Sequence, residues 1–316
     1  MNEFDLINKY FNFPSISADL GIGDDAALIN KNKNEFYAIS VDTLNLNHHF
    51  TKTSDPYYLG WKSLAVNISD IVAMGGMPKY ALLSLSILEP EDSWLSKFAK
   101  GLRACAKKYN VELIGGDTNK GSPSISITII GDVLKKNVLR RDQVQINDEI
   151  WLTNEVGYAA LHFQYNNIPQ KNRQTISNCL KKSAHESFVK PIPPLGFIQK
   201  AKSLIHSAID LSDGLAGDLQ HITLKNGFGA KIYIDKIPMH KWFRENNFYE
   251  LALTGGEDYQ ILFTAPVKNN HKINSLLKKF SMKGAMIGHV SNKKSIQYEL
   301  NGQPFHLSKD GFRHFG

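Results

Sequence analysis

The carboxylates of this chain are placed where chemistry is usually done. Asp24 and Asp25 follow Gly23, Asp42 lies near the end of the apolar run 36–44 (FYAISVDTL), and Asp70 sits in a stretch of helical spacing. Asp117 follows Gly115 and Gly116, and Asp210 and Asp213 flank Leu211 and Ser212. Any one such residue commonly caps a helix or a turn. Their recurrence in separate segments argues for a shared purpose. Magnesium takes hard oxygen ligands in octahedral geometry, using one or two carboxylates per ion and leaving positions for phosphate and water. Aspartates from several segments suit several ions better than one.

The residues beside them extend that chemistry. Gly115-Gly116-Asp117-Thr118 joins two glycines, which let backbone approach a phosphate, to a carboxylate and a hydroxyl for metal, and reads as a turn. Ser212-Asp213-Gly214-Leu215 reads as a helix start, whose N–H groups serve either as an ordinary cap site or as an anion contact. Arg140 and Arg141 offer a fork matched to phosphate. His48 and His49 read as a surface pair, with no cysteine or third histidine near enough in sequence for zinc. Residues 21–26 (GIGDDA) match the dinucleotide pattern G-x-G-x-x-A, but two adjacent carboxylates there would repel a pyrophosphate unless a cation intervened. The Walker A pattern G-x-x-x-x-G-K-[ST] does not occur. The set indicates phosphate and magnesium without choosing a substrate.

Positioning such residues takes an α/β framework. Apolar and β-branched runs predict strands over 36–44, 80–88, 111–114, 124–133, 149–153, 230–234, 260–264 and 285–290. Asp55-Pro56 opens a helix that Gly75 and Gly76 stop, an apolar stripe from Trp94 to Tyr109 makes a second, and further helices are expected over 213–225 and 271–280. The consecutive strands near the end of the first half predict mixed sheets. The aperiodic polar stretch 135–148 marks a boundary, giving domains 1–140 and 141–316, with a proline-rich link at 190–194. NISD followed by GGD, and DLSD followed by GGED, form a weak internal echo.

Composition bounds the class. The 316 residues exceed the roughly 250 to 300 at which single cores stop growing. A net charge of +7 is compatible with anionic ligands, but the lysines fall in scattered pairs and no nucleic-acid motif is present. Two cysteines, Cys105 and Cys179, are too few for a disulfide framework and suit a reduced, cytoplasmic setting. Residues 1–13 lack the apolar core of a signal peptide, and no run reaches the length of a membrane span.

In order along the chain, GIGDDAA (21–27), SVDTL (40–44), HHF (48–50), LGWKSLAVNISDIVAMGGMPKYALLSL (59–85), IGGDT (114–118), SAIDLSDGLAGDL (207–219), LTGGEDYQILFT (253–264) and GFRHF (311–315) resemble the thiamine-monophosphate kinase family. That family lies within a wider group of ATP-binding enzymes like aminoimidazole ribonucleotide synthetase. The resemblance implies a two-domain α/β fold whose amino-terminal domain pairs in a homodimer. It implies phosphorylation of thiamine monophosphate to the diphosphate by ATP, transferred directly in line and assisted by several Mg²⁺ ions. Metal ligands carry over to Asp25, Ser40, Asp42, Asp70, Asp117, Asp210 and Asp213. Nucleotide contacts carry over to Gly116, Asp117, Arg141 and Ser212, and substrate contacts to His49, Glu257 and Phe312. Val41, Ala99 and Pro194 depart from the family pattern. The rival readings are another ATP-using synthetase of the wider group, or a nucleotide or nucleic-acid binder without turnover.

Overall fold

The computed structural model describes residues 3–12 and 16–308; Phe312 and the 311–315 segment lie outside them. The chain divides into two compact units. One comprises Ser17–Val138 and Val189–Leu195, so the proline-rich link belongs with the amino-terminal half. The other contains Leu139–Phe188, the chain from Gly196 onward and the amino-terminal helix α1 (Glu3–Tyr10).

The first unit is a five-stranded sheet with two helices. Its strands are β1 (Ala27–Asn30), β2 (Glu35–Asn45), β3 (Met77–Ile87), β4 (Glu112–Lys120) and β5 (Ser124–Leu134), and its helices α2 (Pro56–Ala73) and α3 (Asp92–Tyr109). The order is β1-β2-β5-β3-β4, antiparallel except for β3 and β4, which α3 links as a parallel crossover. The sheet is mixed, as the consecutive strands predicted. Asp55 caps α2 by accepting the Tyr57 amide at 2.8 Å, with Pro56 at the first helical position.

Both faces of α2 are covered. Leu64, Ile68, Ile71 and Val72 are buried, and α2 packs on the sheet and on α3. The two helices approach through glycine. A Cβ on Gly60 would lie 2.1 Å from the Phe98 carbonyl oxygen, and one on Gly101 1.7 Å from that of Tyr57. The proline-rich link docks on the same pair: the Trp61 indole donates to the Pro191 carbonyl at 3.0 Å and the Tyr109 hydroxyl to that of Pro193 at 3.2 Å.

Register separates the two faces of this sheet. Ser40 aligns with Ile129 and Ala81, and Asp42 with Ile127 and Leu83, on the inner face that α2 covers. Val41 aligns with Thr128 and Leu82 on the outer face. That outer face is apolar yet open: Val41 is 59% exposed, Tyr80 39% and Leu82 36%. The edge strand β4 is exposed along its whole length.

The second unit is built on a seven-stranded mixed sheet of β6 (Glu149–Leu152), β7 (Ser207–Asp210), β8 (Gly229–Tyr233), β9 (Ile261–Ala265), β10 (Ala285–Ser291), β11 (Ile296–Leu300) and β12 (Gln303–Phe305). Their order is β12-β11-β8-β10-β6-β9-β7, with β8 and β11 parallel. The helices are α4 (Tyr158–Phe163), α5 (Gln170–Arg173), α6 (Asn178–Val189), α7 (Leu195–Ala201), α8 (Leu215–Ile222), α9 (Lys241–Glu245), α10 (Tyr249–Thr254) and α11 (Asn270–Lys279). One core unites Ile150, Leu152, Ile209, Leu219, Ile232, Phe243 and Leu262. The expected helix over 213–225 is shorter: α8 ends at Ile222 and a 3-10 turn, Leu224–Asn226, finishes the segment.

Gly101→Val should prise α2 from α3 and lower stability by about 3 kcal/mol or more, since the collision is with backbone that cannot move aside. Thermal denaturation against the parent measures it; an unchanged midpoint would contradict the close approach.

Candidate active site

In the first unit the sheet and α2 bring carboxylates together. An oxygen of Asp25 lies within 4.8 Å of one on Asp70. The Ser40 hydroxyl donates to Asp70 Oδ2 at 2.6 Å, and the Asp42 amide donates to Asn67 Oδ1 at 2.9 Å. Asn67 is in turn oriented by donating from Nδ2 to the Ser63 carbonyl. Asp25 is buried just before β1, while Ser40, Asp42 and Asp70 are half-buried. The donor set is oxygen only, which fits a hard divalent cation such as Mg²⁺ better than zinc or copper, which favour nitrogen and sulfur ligands. His49 follows β2 in a tight loop where its Nδ1 accepts the Asn45 amide at 3.1 Å.

Asp117 is placed differently. Gly115, Gly116 and Asp117 do not form the expected turn; they run inside β4. Gly116, at φ 149°, lies so close to β3 that a Cβ would sit 1.8 Å from the Leu83 carbonyl oxygen. Asp117 aligns with Ser84 and Ser126, on the opposite face of the sheet from Ser40 and Asp42. Asn119 donates to its carboxylate at 3.2 Å. Val41, one of the departures from the family pattern, also lies on that outer face.

In the second unit, two loops are zipped together. Asp210 ends β7 and is buried. The Glu257 amide donates to the Ser212 carbonyl and the Tyr259 amide to that of Leu211, both at 2.8 Å. Glycine permits the approach: a Cβ on Gly214 would sit 3.1 Å from the Gly256 amide nitrogen, and one on Gly256 2.4 Å from the Ser212 carbonyl oxygen. Asp213, Ser212 and Glu257 therefore share one rigid corner. Arg141 is held at the other end of β7, where its carbonyl accepts from Ser207 Oγ at 3.0 Å and Asn226 Nδ2 at 2.9 Å. Burial, then Lys225 and Arg141, push the nearby His221 imidazole down to about 3, so it stays neutral.

Asp218 and Asp258 were missed by sequence reasoning. Asp218 Oδ2 accepts the Asp213 amide at 3.2 Å and secures the start of α8. Its signal was an acid on the apolar side of that helix, beside Leu215, Leu219 and Ile222. Asp258 is buried, and its carboxylate accepts the Gly157 amide at 3.0 and 3.1 Å. Burial raises its pKa to about 7, opposed by the amides of Gly157 and Ala159 and reinforced by Glu257. Elsewhere burial pushes the Cys105 thiol up to about 12, which removes it as a nucleophile.

Two family models match: AIR synthase related protein, N-terminal domain, over residues 23–133, and AIR synthase related protein, C-terminal domain, over 191–301. Together the two matched domains define an AIR synthase related protein. Over 323 residues the chain is 38% identical to the thiamine-monophosphate kinase of Buchnera aphidicola subsp. Acyrthosiphon pisum, covering 99% of this chain and 98% of the relative. It resembles the solved thiamine-monophosphate kinase of Stenotrophomonas maltophilia K279a with TM-score 0.78 and 32% identity, over 92% of this chain and 93% of that one. AaThiL complexed with AMPPCP and TMP gives TM-score 0.81 and 26% identity, over 99% and 97%. The chain belongs to the thiamine-monophosphate kinase family.

A carboxylate whose pKa is raised on folding binds more protons folded than unfolded. Its contribution to stability is complete below the ordinary value near 4 and is lost as pH rises through about 7. The loss amounts to at most about 4 kcal/mol. Asp258→Asn should therefore lose less stability than the parent between pH 5 and 9. Parallel pH profiles in thermal denaturation would contradict the burial of an ionisable group there.

Proposed function

We propose that the chain transfers the terminal phosphoryl group of ATP to thiamine monophosphate, yielding thiamine diphosphate and ADP by direct in-line displacement. The observation that carries this reading is the oxygen-only grouping of Asp25, Ser40 and Asp70 in a chain related over nearly its full length to thiamine-monophosphate kinases. A phosphate monoester has a second pKa near 6, so at neutral pH the acceptor oxygen is already largely ionised and needs no general base. Positioning and charge neutralisation are what remain for the protein to supply.

In this reading Asp25, Ser40, Asp42, Asp70 and Asp117 of the first unit, and Asp210 and Asp213 of the second, hold several Mg²⁺ ions. When bound, these ions offset the repulsion between the two phosphate groups. Gly116, Asp117, Arg141 and Ser212 bind the nucleotide. His49, Glu257 and Phe312 bind the acceptor, Phe312 offering an aromatic face to its cationic ring.

The same reading includes a homodimer. An apolar sheet face ending in a fully exposed edge strand is a liability for a lone molecule. A second copy would cover Val41, Tyr80 and Leu82. Gly116 and Asp117 on β4 would then act where two copies meet. A reduced, cytoplasmic setting completes the proposal, with Cys105 and Cys179 as free thiols.

ADP release from ATP should require thiamine monophosphate and fail with thiamine; equal release with neither would refute the assignment. Asp42→Ala and Asp70→Ala should lower kcat by about a thousandfold or more while circular dichroism stays unchanged. Near-normal turnover of either folded variant at saturating magnesium would remove it from the metal set. Leu82→Asp should shift the assembly from dimer to monomer in light scattering, and a monomeric parent would sink the pairing proposal.

A further inference from the structure

The segment Gly255 to Tyr259 is strained. Gly256, Glu257 and Tyr259 have φ of 69°, 65° and 47°. Left-handed backbone costs a residue with a Cβ about 1–2 kcal/mol, and such conformations persist only where the surroundings over-determine them. Part of that restraint is the pairing of the Glu257 and Tyr259 amides with Ser212 and Leu211. Part is packing: a Cβ on Gly255 would lie 2.1 Å from the Ala160 Cβ, so α10 ends directly against α4. Neither restraint fixes the residue between Glu257 and Tyr259.

The side chain of Asp258 does. It leaves the loop and seats both carboxylate oxygens on the Gly157 amide at the start of α4, at 3.0 and 3.1 Å. Gly157 can take its own φ of 93° because it lacks a Cβ, which would otherwise meet Ala252 at 2.8 Å. A buried carboxylate is an expensive filler, since an apolar or amide side chain of similar size would pack with less desolvation. Its burial raises its pKa to about 7, in the direction that expense requires. What the carboxylate supplies in return is direction: once Asp258 is anchored, the path of the preceding residue is set.

We propose that Asp258 is a positioning residue that ties the acceptor-binding loop to α4 and thereby aims the Glu257 carboxylate at the acceptor. The assignment rests on the reading of Glu257 as an acceptor contact, and it concerns acceptor recognition rather than nucleotide binding.

Steady-state kinetics on the full chain test it, with thiamine monophosphate and ATP varied separately. Asp258→Ala should raise the KM for thiamine monophosphate about tenfold and that for ATP less than about twofold. Asp258→Asn keeps an oxygen for the Gly157 amide and should stay within about threefold of the parent. In a Glu257→Ala background, Asp258→Ala should raise the acceptor KM by less than about twofold, because the contact it supports is already gone. Should Asp258→Ala not fold, Asp258→Ser, whose hydroxyl is too short to span to α4, provides the same comparison. An unchanged acceptor KM, equal rises for both substrates, or full additivity with Glu257→Ala would overturn the assignment alone. A parent without transfer to thiamine monophosphate would overturn the proposed function and this assignment with it.

Discussion

The contact on which the rest depends is that of α2 with the inner face of the five-stranded sheet. Asp25 and Asp70 are drawn close together, and the Ser40 hydroxyl spans from β2 to Asp70 at 2.6 Å. Two like charges about 5 Å apart repel by about 3 kcal/mol in a protein-surface dielectric. Burying one large aliphatic side chain stabilises by about 1.5–3 kcal/mol. Ile68, Ile71 and Val72, all buried around Asp70, are thus enough to offset the repulsion. The apolar helix holds the carboxylates in an arrangement that suits a cation better than it suits the protein alone.

The second unit meets a similar demand with backbone instead of apolar area. Asp213 and Glu257 come from loops more than forty residues apart in sequence, and what joins them is two amide–carbonyl bonds and a pair of glycines that could not tolerate a side chain. Buried acids then secure the ends of that corner, Asp218 at the start of α8 and Asp258 at the start of α4. The arrangement sacrifices local stability in positive-φ residues and a desolvated carboxylate. Such departures from local preference are expected where geometry matters more than stability.

Much of this was legible beforehand. The Asp55-Pro56 start of α2, the apolar stripe of α3, and most strands follow from capping chemistry and periodicity, which act within a few residues. The candidate aspartates were legible too, as carboxylates recurring beside glycine. Less legible were β1, β7, β11 and β12, each of three to five residues and too short to show a period. Gly115 and Gly116 misled, because glycine's freedom signals a turn while in β4 it answers a close approach by Leu83. Nothing local distinguishes Asp258 in the sequence, because its burial depends on α4, about a hundred residues earlier in the chain.

The sequence by itself determined which residue types were present for phosphate and metal chemistry, which elements carry them, and the family whose motifs they repeat, because these depend on local order along the chain. Only the tertiary structure decided which face of the sheet each residue serves. A strand's side chains alternate, so Ser40 and Asp42 share the inner face, where Ser40 reaches Asp70, while Val41 lies on the other, and Asp117 is assigned to the outer face by its pairing with Ser84. Register and burial come from contacts between distant segments, and those contacts form only when the chain folds.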